Sequence, residues 1–175
     1  AQVTINLSPA INVQPQDGSW CVNAIASPLS IGYINGPGTA NYQWYSNTTN
    51  SNLGGAVILG ETNSTFIPST STAGSFYYYC IITFPSLSGG CEVITSNAVT
   101  VLVSPLPIIG SESVTICSTN FFLLNPTDEG GNLVPFGTTY TWSLPVVNPV
   151  GALTGFSPQT LPQSQISQTL VNTTN

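Results

Sequence analysis

Residues 75–84 read Ser-Phe-Tyr-Tyr-Tyr-Cys-Ile-Ile-Thr-Phe, aromatic and β-branched side chains with no glycine or proline inside the run. Such a run is a strand. On extended backbone successive side chains alternate, so Phe76, Tyr78, Cys80 and Ile82 share one face and Tyr77, Tyr79 and Ile81 the other. After it, Pro85-Ser86-Leu87-Ser88-Gly89-Gly90-Cys91 has turn composition, and Val99, Val101 and Val103 alternate on one face of a second strand. The two strands are expected to form a hairpin.

Working upstream, strands are expected at Val3–Leu7, Pro28–Ile34, Tyr42–Tyr45, Ala56–Leu59 and Ser64–Ile67. No segment carries the 3.6-residue period of a helix, and 16 Gly, 14 Pro and abundant Ser, Thr and Asn divide the chain into short pieces. Seven or so short strands separated by turn signals predict an all-β fold of the two-sheet sandwich type.

The composition excludes most chemistry. The 175 residues contain no Lys, Arg or His, and their only acids are Asp17, Glu61, Glu92, Glu112, Asp128 and Glu129, for a net charge of −6. Without imidazole there is no Ser/His/Asp or Cys/His nucleophile system and no His-ligated zinc. Without cationic side chains nothing can neutralise phosphates, so nucleic acid is excluded as a partner. No apolar run approaches the roughly 18 residues of a spanning helix, and direct membrane insertion is not expected. A glycosidase needs two carboxyl groups facing one another across a cleft, which six scattered acids do not imply. Asp128-Glu129-Gly130-Gly131-Asn132 offers oxygens, yet lacks the alternating acids of a calcium loop and reads as a solvated turn. The expectation is a non-enzyme with no cofactor, no metal and no catalytic residue.

The chain also repeats itself. Cys21, Leu29, Ile31 and Tyr42-Gln43-Trp44 recur as Cys117, Phe122, Leu124 and Tyr140-Thr141-Trp142, with Cys-to-Trp spacings of 23 and 25. Two related domains are expected, at residues 1–104 and 105–175, joined near Ser104-Pro105-Leu106-Pro107, where proline ends a strand. The first unit runs far beyond Tyr45, whereas few residues follow Ser143. The second is therefore expected to be truncated before its last hairpin, and the chain to be a piece of a longer one.

Four cysteines without any CxxC knuckle favour disulfides over zinc, and disulfides imply an oxidising extracellular setting. Three pairings are open in the first unit: Cys21–Cys91, Cys80–Cys91 and Cys21–Cys80. Cys117 has no evident partner within the chain. Trp44 and Trp142 are expected in the two cores. Tyr77 and Tyr79, if their face is open to solvent, form with Trp20 the candidate ligand-contact aromatics; otherwise a neighbouring segment covers them.

Taken together, WCVNAIASPLSI (20–31), YQWYSNTTNSNLGGAVI (42–58), ETNSTFIPSTSTAG (61–74), YYYC (77–80) and CEVITSNAVTVLV (91–103) resemble the Ig-like repeats of very large surface adhesins of gliding Bacteroidota, the SprB type. VTICSTNFFLL (114–124), GTTYTWSLPVV (137–147) and ISQTLVNTT (166–174) resemble the PKD-like repeats of the same proteins. The resemblance implies tandem immunoglobulin-like sandwiches in a type IX-secreted, repeat-built adhesin on the outer cell surface. It implies neighbouring repeats as partners, with surface polysaccharide or other cell-surface proteins as ligands. It also implies a Cys21–Cys91 pair, and for Cys117 a partner beyond residue 175; Cys80 departs from the commonest form, where an aliphatic residue follows the tyrosines. The reading is a structural and adhesive module. The rival is a carbohydrate-binding accessory module of a secreted polysaccharide-degrading enzyme, with Tyr77, Tyr79 or Trp20 as stacking platform.

Overall fold

The structure, a computed structural model, describes residues 7–36, 38–85 and 93–174. Among these residues every regular element is a strand. The chain divides into two compact units, Ala1–Pro105 and Leu106–Asn175. The expected strand at Val3–Leu7 and the turn at 86–90 fall wholly or mostly outside the described residues, as do Cys91 and Glu92.

In the first unit the strands are β1 (Ala10–Val13), β2 (Gly18–Cys21), β3 (Leu29–Ser30), β4 (Gly32–Ile34), β5 (Asn41–Asn47), β6 (Ala56–Val57), β7 (Thr65–Phe66), β8 (Gly74–Thr83), β9 (Val93–Thr95) and β10 (Val99–Ser104). The aromatic run of residues 75–84 is β8, the longest strand, and it lies inside a six-stranded sheet ordered β2-β10-β8-β5-β6, with β9 also on β8. All pairs are antiparallel except β2 with β10. Opposite this sheet, β3 pairs with β7 and β1 with β4. The expected single strand at Pro28–Ile34 is in fact two. Leu29, Ser30 and the Ile31 amide serve the β7 side, whereas Gly32–Ile34 serve β1, so one apolar stretch changes partner midway.

The core lies between these layers. Trp44, Tyr78, Cys80, Ile82, Val99, Val101 and Val103 come from the large sheet, and Leu29, Ile31 and Phe66 from the opposing side. The alternation of β8 determines this: every second residue faces inward, and the valines of β10 face inward beside them. Trp44 is at the centre, fully buried, with its ring 5.5 Å from that of Phe66 and its Nε1–H donating to the Asn63 carbonyl at 2.9 Å. Tyr78 meets Phe66 edge-on at 5.0 Å. Neither ring needs a charged neighbour.

Between β9 and β10 the ladder along β8 is interrupted, since Ile81 faces Thr95 and Tyr78 faces Val99, leaving three residues of one strand against two of the other. This is a bulge. Ser96, fully buried, satisfies it: its Oγ accepts the Cys80 amide at 2.9 Å and donates to the Asn97 carbonyl at 2.8 Å, while its own amide donates to the Cys80 carbonyl. Among the described residues no buried side-chain nitrogen or oxygen is left without a partner.

The second unit contains β11 (Phe121–Leu124), β12 (Tyr140–Trp142), β13 (Leu153–Thr154), β14 (Gln159–Gln163), β15 (Ile166–Thr169) and β16 (Val171–Asn172). Among the described residues they pair two by two, β11 with β15, β12 with β14 and β13 with β16. Of the fourteen buried hydrophobic residues among those described, thirteen belong to the first unit and one, Ala152, to the second.

Removing a fully buried Trp leaves a cavity and an unpaired Asn63 carbonyl. Trp44→Ala should lower stability by about 3–5 kcal/mol, whereas the same change at half-buried Trp142 should cost roughly 1 kcal/mol or less. Urea unfolding followed by circular dichroism checks this, and equal midpoint shifts for the two variants would contradict the packing described.

Candidate functional site

The six-stranded sheet has an outer face opposite its core face. Alternation places Gln43, Tyr45 and Asn47 of β5, Tyr77, Tyr79 and Ile81 of β8, and Thr100 and Leu102 of β10 on it. Part of this face is covered by the chain's own loop at residues 48–55. Asn47 Nδ2 donates to the carbonyls of Ser51 at 2.8 Å and Leu53 at 3.0 Å, and Asn52 Nδ2 donates to that of Ser96 at 2.8 Å. The Gly55 amide donates to the Tyr79 hydroxyl at 3.1 Å. Gly55 must be glycine, because a Cβ there would lie 2.6 Å from the Ser46 carbonyl oxygen and 2.8 Å from the Tyr79 ring.

These contacts dispose of one candidate. Tyr79 is buried, and its ring stacks on Tyr45 at 5.1 Å with the planes 8° apart, so it has no free face to offer a ligand. Trp20 is not part of the outer face either. Its strand runs parallel to β10 with Trp20 opposite Val103, which puts it on the core side, where it packs against the core with its ring over Gly18; a Cβ on that glycine would fall 2.0 Å from the indole. Tyr77 is the candidate that remains. It is half-buried, opposite Asn47 on one side and Thr100 on the other, with Leu102, 43% exposed, on the same face. The three aromatics therefore do not converge.

The open part of the face, Tyr77 with Thr100 and Leu102, is neutral. It offers one aromatic ring, hydroxyl groups and an aliphatic surface, which suit contact with an uncharged ligand and supply no group for proton transfer or nucleophilic attack. At the sheet edge the Asp17 carboxylate accepts the Thr100 amide at 2.7 Å and Gln14 Oε1 the Asn97 amide at 3.0 Å, so these side chains fasten the approach to β2 onto β10.

The cysteines are dispersed. Cys21 and Cys117 are exposed and Cys80 is buried opposite Trp44, and no bridge joins any two of these three. The Cys21–Cys80 pairing is thereby corrected: Cys80 points into the core and Cys21 ends β2 on the outer face. Burial pushes the Cys80 thiol up to about 11. In the second unit a cleft of about 310 Å³ is bounded by Glu112, Asn125, Thr127, Glu129 and Asn132. Its polar groups are engaged in holding loops: Asn132 Nδ2 donates to Glu112 Oε1 at 2.8 Å, the Gly110 amide donates to Asn132 Oδ1 at 2.7 Å, and the Val134 amide donates to Asp128. Among the described residues no three His, Cys, Asp or Glu side chains are grouped to hold a metal ion.

A family model described as a domain of unknown function, DUF8696, matches residues 11–105. The chain belongs to that family. The DUF8696 match starts in β1 and ends at Pro105, the last residue of the first unit, so both Tyr77 and the Trp44 core lie inside it. A search of the curated proteins gives no match. Four chains of solved structures match. One is SGBP-B of the Bacteroides ovatus mixed-linkage glucan utilization locus, in complex with a mixed-linkage heptasaccharide, at 11% identity, with 98% of this chain and 42% of that chain covered and a TM-score of 0.41. The chain spans less than half the length of that protein.

The alkaline limit follows from Cys80. Because the folded state keeps the thiol proton to higher pH than the unfolded chain does, its contribution is complete below the ordinary thiol value of 9.0 and is lost as pH climbs toward about 11. Tyr78, raised by burial from 10.0, acts in the same direction. The melting temperature should stay level from about pH 6 to 8 and change little with salt, since no ion pair between side chains can form, then fall between about 9 and 11. In Cys80→Val the fall should be shallower. An equally steep fall in that variant, or a marked change below pH 8, would contradict the assignment.

Proposed function

We propose that the chain is a non-catalytic structural and adhesive module of an extracellular, repeat-built bacterial surface protein. The single observation that carries this reading is the self-sufficiency of the DUF8696 unit, which closes a core around Trp44 from uncharged side chains alone. A unit that buries its own core can be strung in series, and length then grows by addition. The resemblance to Ig-like and PKD-like adhesin repeats points the same way, and it brings with it the outer cell surface, type IX secretion and a role in gliding as parts of the proposal. A chain with no Lys or Arg also presents no site to proteases that cut after them, which suits exposure outside the cell.

A second reading is favoured by one specific observation, the half-buried Tyr77 on the uncovered part of the outer face beside Thr100 and Leu102. That surface fits the apolar face of a neutral sugar ring, the requirement of a carbohydrate-binding module.

Titration calorimetry with a panel of neutral oligosaccharides separates the two. The structural reading expects no heat of binding at millimolar ligand and surface labelling of intact cells by antibodies against the first unit. Binding that falls about tenfold or more in Tyr77→Ala, a loss of about 1.4 kcal/mol, would replace the structural reading with the carbohydrate one. Absence of label on intact cells would refute the surface location.

A further inference from the structure

Two strands near the opposite ends of the first unit pair with each other. β2 lies parallel to β10, with Gly18 opposite Val101, Ser19 opposite Leu102, Trp20 opposite Val103 and Cys21 opposite Ser104. Because the two strands run the same way, the chain enters β2 at one end of this ladder and leaves β10 at the other. Tension drawn along the polypeptide through the unit therefore pulls β2 and β10 past one another. The evenly spaced bonds of a parallel pair then bear the load together and must fail together. An antiparallel hairpin pulled from its open end loses its bonds one at a time.

Further bonds lengthen this contact beyond the ladder itself. Ahead of β2, Gln14 Oε1 accepts the Asn97 amide at 3.0 Å and Asp17 Oδ1 the Thr100 amide at 2.7 Å. Behind it, the Val22 amide donates to the Ser104 carbonyl at 2.9 Å, and the Asn23 amide to that of Thr70 at 2.9 Å. Residues 14–22 are thus fastened to residues 97–104 from end to end. Trp20 locks the register, because it packs against the core with its ring over Gly18 and a slip along β10 must drag the indole from its seat. β10 is also held by β8, from Val99 to Val103. Releasing β10 therefore breaks two ladders, whereas releasing β2 breaks one. β1, ahead of β2, meets β4 at three register positions with an irregularity between two of them, and it yields first.

We propose that the first unit is a tension-bearing element, in which residues 14–22 and 97–104 form a clamp loaded in shear that sets the force at which the unit opens. Its use rests on the structural and adhesive reading, since a stalk that grips a surface is pulled along its length; the strength itself belongs to the unit. Under load the clamp breaks first, while the core around Trp44 behind it is still closed. Contacts already lost in the transition state control the rate of unfolding, and those still present there do not. Gln14 and Asp17 therefore govern the mechanical lifetime, although neither is part of the core.

Single-molecule pulling of the 175-residue chain, held by handles at its two ends, tests this. The first unit should open in one main step that releases roughly 300 Å, the reach of residues 18–104 at about 3.3–3.6 Å each. At a fixed load the double variant Gln14→Ala, Asp17→Ala should open about tenfold faster than the parent. Asp17→Asn keeps the acceptor oxygen and should stay within about twofold of the parent, as should Asn52→Ala, which removes only a bond to the Ser96 carbonyl on the outer face. A second comparison leaves the clamp's sequence intact. With the amino-terminal handle moved to exposed Thr72, the load falls on β8 and β10 at the end where Gly74 faces Val103, and the bonds peel singly. That geometry should open at least about tenfold faster than the end-to-end one. Equal rates in the two geometries would overturn the proposal, as would an Asn52→Ala variant weakened as much as the clamp variant. A strong clamp in a protein whose first unit is absent from the cell surface would refute the adhesive reading and leave the clamp standing.

Discussion

Trp44 wedged between β8 and the β3–β7 layer is the contact on which the rest of the DUF8696 unit depends. Its indole fills the centre of the core, its Nε1–H is satisfied by a backbone carbonyl, and its strand is held on both edges. Around it everything is neutral. With no Lys, Arg or His in the chain, no ion pair between side chains can contribute to stability, and the whole load falls on apolar burial and the backbone ladder. Polar side chains then act as local fasteners to the backbone: Ser96 in the bulge, Asn47 and Asn52 in the loop over the outer face, Asp17 at the edge.

That division of labour explains which parts were legible in the sequence. β8 announced itself because a strand buried on its core face and half-covered on the other must carry large side chains at nearly every position, and residues 75–84 do. The valines of β10 and the Trp44 strand were readable for the same reason. β2 was not: Gly18-Ser19-Trp20-Cys21 follows Pro15-Gln16-Asp17, which has turn composition, and its parallel pairing with β10 is a long-range fact. β14 was hidden by polarity and by Pro162, which is tolerated in a strand of a two-stranded pair.

The candidate site was legible only as a face. Alternation put Tyr77 and Tyr79 on the side away from the core, but the two tyrosines differ in exposure because of a loop whose Gly55 lies 24 residues upstream of Tyr79, and no periodicity encodes that. The tell-tale residue was Gly55, whose need to be glycine arises from a ring and a carbonyl it meets only after folding. Trp20 belonged to the core side, a placement that depends on its pairing with β10 and was invisible without it.

Trp44 is enclosed in the first unit, whereas Trp142 is half-buried in the second. Enclosure of the tryptophan by β8 and β10 is what makes the first unit cooperative. Scanning calorimetry of residues 1–175 beside residues 1–105 addresses it most directly. One endotherm is expected, at the same temperature and with the same enthalpy in both, because among the described residues the second unit buries only Ala152. A second endotherm present only in the longer chain would contradict it.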